Sequence, residues 1–104
     1  MIMIIKHPGK VAEEVNMTKD EALEVISGRH CFVMYSNPYN VGMYISDGGY
    51  YAGLKQNFVW ESHIIYGSVV FIGMDDRGRE CDLTKLQKEL VNHFLNRDSL
   101  VPVG

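Results

Sequence analysis

Ile64-Ile65-Tyr66-Gly67-Ser68-Val69-Val70-Phe71-Ile72-Gly73-Met74, followed by Asp75-Asp76-Arg77-Gly78 and then by Thr84-Lys85-Leu86-Gln87, decides the fold. The first eleven residues read as one strand. Ser68 to Ile72 is almost wholly β-forming, as in a central strand buried on both faces. Gly67 and Gly73 bracket this run, where a bulge or a close backbone approach is expected. Asp75 to Gly78 has turn chemistry. Thr84 with Gln87 three residues on forms a capping box, and Leu86, Leu90, Val91, Phe94 and Leu95 recur at helical spacing. The segment from about Ile64 to Arg97 is thus a strand–turn–helix unit, with the helix over 84–97.

Working outward, the rest of the chain is a series of short β-prone runs with one more helix. Met1 to Lys6 is a strand, and His7-Pro8-Gly9-Lys10 is a turn. Val11 to Met17 returns as a second strand, whose Glu13-Glu14 pair suits a sheet edge. Thr18 and Glu21 form a capping box opening a helix over 18–28, with Ala22, Leu23, Val25 and Ile26 apolar and Gly28 as its C-terminal cap. His30–Ser36 and Val41–Asp47 read as a hairpin around Asn37-Pro38-Tyr39-Asn40. Asp47-Gly48-Gly49 is another turn, Tyr50–Leu54 a short strand, and Lys55–His63 carries no clear pattern. Residues 98–104 also lack a pattern and read as a loose tail. The fold class is α+β: one domain over 1–104, with a mainly antiparallel sheet of about five strands packed against two helices.

Composition bounds the function. The chain has 104 residues, 46% of them hydrophobic, which suits a single modest core rather than disorder. Ten basic residues are outnumbered by thirteen acidic ones, for a net charge of −3. Nucleic acid is therefore a disfavoured partner, because phosphate neutralisation needs a basic face. No run approaches the roughly 18 apolar residues of a membrane span. The opening apolar run ends at Lys6, too short for the core of a signal peptide, and the expectation is a cytoplasmic protein with reduced thiols.

No catalytic or metal signature stands out. Cys31 and Cys81 give no disulfide framework. They do not combine with His7, His30, His63 or His93 at zinc-ligand spacing. Neither cysteine has a sequence-evident base, Ser68 lies inside a strand, and Asp75-Asp76 are simply turn residues. Gly48-Gly49 leads into Tyr50-Tyr51 rather than into a phosphate-cradling helix. No catalytic residue, metal or cofactor is therefore assigned.

Three segments do carry a resemblance. Pro8-Gly9-Lys10 follows the first strand. Gly53-Leu54 precedes Asn57. Ile65 to Gly73 is followed by an acidic glycine turn and Cys81-Asp82-Leu83-Thr84. In this order they resemble the small-protein family known as domain of unknown function 3846. Gln56 before Asn57 and the heavy aromatic content around Tyr50 and Trp60 depart from that pattern. The resemblance implies a source in bacteriophages, plasmids and similar mobile elements, and it implies no activity.

The anomaly is aromatic. Tyr35, Tyr39, Tyr44, Tyr50, Tyr51, Phe58, Trp60 and Tyr66 crowd the middle of the chain, and a domain this small cannot bury them all. About half are expected in the core. Tyr39, Tyr44, Tyr50, Tyr51 and Trp60 are expected to line a recognition surface, since tyrosine gives contact area at low entropic cost. The first expectation is a non-enzymatic binding protein that acts on a host protein, in the narrower form an inhibitor of host defence. The alternative is a small-molecule or nucleotide-signal binder, oligomeric, with Lys55, Arg77 and Arg79 as anion contacts. An enzyme ranks third. A homodimer is a further expectation, C₂ symmetry being the commonest.

Overall fold

The computed structural model describes residues 1–26, 29–34, 40–60 and 62–98. Eight strands and two helices run through them: β1 (Ile2–Lys6), β2 (Glu13–Asn16), α1 (Lys19–Leu23), β3 (His30–Met34), β4 (Val41–Ser46), β5 (Gln56–Trp60), β6 (His63–Tyr66), β7 (Val69–Met74), β8 (Glu80–Cys81) and α2 (Lys85–Asp98). The main sheet is six-stranded and antiparallel, in the order β2-β1-β7-β4-β3, with β8 also on β7. The α+β class, the antiparallel sheet of about five strands and the two helices are as expected, with the short β8 and the separate β5–β6 pair added to them.

The central strand is β7. Val69, Val70 and Phe71 pair with β1, and Val70 to Gly73 pair with β4. Gly73 and Met74 then pair with β8, which takes up the side of β7 that β1 leaves. The Leu83 N–H donates to the Ile2 carbonyl at 3.0 Å and closes that row. A side chain at Gly73 would stand 2.6 Å from the Asp82 carbonyl oxygen, so this close crossing of backbones needs glycine.

Side chains two apart share a face of a strand, and both faces of the sheet are covered at β1, β7 and β4. Val69 and Phe71, with Ile4, Val41 and Met43, pack under Val91 and Leu95 of α2 and under Phe58, Trp60 and Ile65 of a separate β5–β6 hairpin. Val70 and Ile72, with Met3, Ile5 and Tyr44, pack against Ala22 and Ile26 on the opposite face.

Both capping boxes form. Thr18 Oγ1 accepts from the Glu21 N–H at 3.1 Å, and Glu21 Oε1 accepts from the Thr18 N–H at 3.0 Å. Gln87 repeats the arrangement with Thr84, and its amide nitrogen also donates to the Asn40 carbonyl at 3.0 Å, tying α2 to the start of β4.

Several expectations need correction. The first helix is five residues, not eleven: beyond Leu23 the chain continues in tighter turns, with Val25 and Ile26 N–H groups donating three residues back. Gly28, its expected cap, lies outside the described residues, as do Ser99 to Gly104. The run Ile64–Met74 is two strands. It breaks at Gly67, whose φ of +83° no ordinary strand residue adopts. Tyr50–Leu54 is not a strand but a pair of turns, with the Ala52 N–H donating to Gly48 and the Leu54 N–H to Gly49. The unread Lys55–His63 segment holds β5. Leu86, placed on the helix's apolar stripe, is exposed.

Candidate functional site

The aromatic residues separate into two environments. Tyr44 and Trp60 are 7% and 9% exposed. Both therefore belong to the core, which corrects their assignment to a recognition surface. Tyr44 is on β4, both sides of which are interior, and Trp60 is on β5, whose inner side packs in the cluster that holds Val91 and Leu95 of α2. Tyr39 lies outside the described residues. Tyr50 and Tyr51, by contrast, are 65% and 91% exposed.

The turn between β4 and β5 presents these two tyrosines. Gly48 takes φ +76°, and the Gly48 and Gly49 carbonyls each accept a hydrogen bond from four or five residues ahead. The rings are braced by each other. Tyr50 meets Tyr51 edge-on at 5.3 Å and Tyr66 of β6 at 5.4 Å, within the range of favourable aromatic pairs. Between turn and hairpin runs a groove of about 220 Å³, lined by Tyr50, Tyr51, Ile45, Ile64 and Tyr66. Ile64, 46% exposed, adds apolar surface. Tyr66 and Ile64 were not assigned to this surface from sequence. Their alternation on one short strand was hidden inside the longer apolar run.

Tyr44 faces the other layer. Its hydroxyl donates to Glu80 Oε1 at 2.6 Å, and Lys19 Nζ donates to the same oxygen at 2.8 Å while standing 5.0 Å over the tyrosine ring. Burial raises the Tyr44 pKa, and Glu80 adds to the effect. For Glu80 burial pushes the carboxyl up, but the hydrogen bonds from Lys19 and Tyr44 outweigh it and hold the pKa below its ordinary value. A carboxylate with a lower pKa folded than unfolded stabilises above its unfolded pKa, and that stability is lost as pH falls through the folded value. The urea midpoint is accordingly expected to drop as pH falls from about 5 to about 3, and to drop less steeply in Glu80→Gln. Equal slopes in the two proteins would sink this assignment.

The expected anion contacts do not converge. Arg79 is committed to the β7–β8 turn, its Nε donating to Asp75 Oδ2 at 2.8 Å and its N–H to Asp75 Oδ1. Arg77 also donates its N–H to Asp75. Lys55 sits at the other end of β7, where its carbonyl accepts from Gly67 at 2.8 Å. Eight residues of extended chain separate the two places, on the order of 25 Å.

Among the described residues no group of three or more His, Cys, Asp or Glu is placed to hold a metal ion. Cys31 and Cys81 are half-buried free thiols. Burial raises the pKa of each, helped by Asp47 and Asp75 respectively, the direction opposite to an activated nucleophile. No helix among the described residues is long and apolar enough to cross a membrane.

Fold and site together define an antiparallel α+β protein carrying a tyrosine-lined groove at one end of its small hairpin. Compared with protein-family models, curated proteins and solved structures, the chain returns no match.

Proposed function

We propose that this protein is a non-enzymatic binding protein, borne by a bacteriophage or another mobile element, that captures a host protein through the tyrosine groove. The observation that carries this reading is the 91% exposure of Tyr51 on a ring pair held edge-on above a hydrogen-bonded turn. Exposed aromatic area is more useful to an interface when it is already ordered, because less entropy is lost on binding. Interface energy concentrates in such anchors. The mobile-element setting, and inhibition of host defence as its narrower form, rest on the family resemblance. The nucleotide-signal alternative draws no support from Lys55, Arg77 and Arg79, which stand at opposite ends of β7.

Tyr50→Ala and Tyr51→Ala are each expected to weaken capture of the partner by about 2 kcal/mol while leaving the circular dichroism spectrum unchanged. Capture equal to that of the unaltered protein would overturn the reading. Self-association by light scattering that disappears in Tyr51→Ala would assign the groove to a second copy of the chain instead.

A further inference from the structure

Lys6 ends β1 on the same face as Ile4, and that face is covered. The residue is 7% exposed. Its ammonium donates to the His7 carbonyl at 2.8 Å and to Asn57 Oδ1 at 3.0 Å. Both acceptors are neutral, and none of the ion pairs among the described residues includes Lys6. A lysine ammonium has three donors, so one remains beyond these two bonds. A buried cation without a counter-ion is costly, and burial lowers the Lys6 pKa.

This charge is not sealed in. It lines a cleft of about 400 Å³ between the β1–β2 turn, β5 and the C-terminal half of α2, a size typical of small-molecule sites. Lys10 reaches the cleft from the turn. Asn92 and Asn96, one helical turn apart, line it from α2 beside the apolar Leu95. No Asp or Glu among the described residues lines it, although acids outnumber bases in the chain. Asn57 is spent on positioning: its oxygen holds the Lys6 ammonium, and its nitrogen donates to the Lys6 and Gly67 carbonyls. We propose that this cleft binds a small organic oxyanion, a carboxylate or phosphate on a body of metabolite size. Lys6 and Lys10 supply the charge, and Asn92 and Asn96 supply neutral hydrogen bonds. None of its lining residues belongs to the tyrosine groove, so the two sites stand or fall separately.

The test is a thermal-shift and calorimetric titration of the full chain at fixed ionic strength, with inorganic phosphate, succinate and adenosine monophosphate as probes and adenosine as the neutral control. At least one oxyanion is expected to raise the melting temperature along a saturable binding curve at millimolar concentration, with adenosine silent. The phosphate and succinate arms distinguish the two anion chemistries. Lys6→Met is expected to abolish the response and Lys10→Met to weaken it roughly tenfold. Lys55→Met, away from the cleft, should leave it unchanged. If Lys6→Met fails to fold, the exposed Lys10→Met and Asn96→Ala decide. A response equal to the unaltered protein's in both variants, or no oxyanion response in the unaltered protein, overturns the proposal.

Discussion

Replacing Asn57 with alanine is expected to cost about 3–4 kcal/mol, measured as a shift in the urea midpoint at constant slope. The side chain is 2% exposed and joins three elements. Its nitrogen donates to the Lys6 carbonyl of β1 at 2.8 Å and to the Gly67 carbonyl between β6 and β7 at 2.7 Å, while its oxygen accepts from the Lys6 ammonium. Alanine leaves the Gly67 carbonyl without this donor, takes the side-chain donor from the Lys6 carbonyl, whose residue stays paired with Val69, and removes one of two acceptors from a buried cation. Each buried group left unmatched costs about 1–3 kcal/mol, against a typical total of about 5–15 kcal/mol. Asn57→Asp is the discriminating control. Aspartate would pair with Lys6 but cannot donate, so two carbonyl oxygens would face an anion. It should therefore fail to restore stability. A loss below about 1 kcal/mol in Asn57→Ala would show that the side chain does not tie these elements together.

Phe71→Ala is expected to be as damaging, at about 4 kcal/mol. Phe71 is fully buried on the middle strand of the sheet. Its ring stacks on Phe58 of the hairpin at 6.0 Å, and Phe58 meets Phe94 of α2 edge-on at 5.7 Å. Truncation opens a cavity where sheet, hairpin and helix meet, and rigid neighbours cannot collapse into it. Hydrogen exchange should show amide protection falling most in β5, β6 and α2, because α1 packs on the other face. Protection lost equally from α1 would contradict the two-faced core.

What could be read in advance was what depends on neighbours a few residues apart. The Thr18–Glu21 and Thr84–Gln87 caps are local hydrogen-bonding chemistry at fixed spacing, and both form. The β-rich 68–72 core reads as a central strand and is one. What could not be read was set by distant packing. Alternation tells inside from outside only when one face is wet. β4 is covered on both, so Tyr44 looked like a surface residue while pointing into the core. β5 was unreadable because a register shift between Gln56 and Phe58 breaks its period of two, and because its first inward residue is the polar Asn57. Lys6 read as the end of an apolar run. Its position two residues after Ile4 is the available signal that it faces inward, but only the fold shows that Asn57 holds it at the wall of a cleft that α2 also lines.

The pairing of β7 with both β1 and β4 bears on how the chain comes off the ribosome. Until the residues beyond about Ser68 have been made, the β1–β2 and β3–β4 hairpins are two separate pieces with no strand to join them. The joining strand emerges late, and the Ile2 carbonyl waits longer still for the Leu83 N–H. Native contacts of such wide sequence separation slow folding and leave strand edges unpaired meanwhile. The Glu13–Glu14 pair on β2 then serves the nascent protein before it serves the finished one, by placing charge along an edge that would otherwise pair with any neighbouring chain.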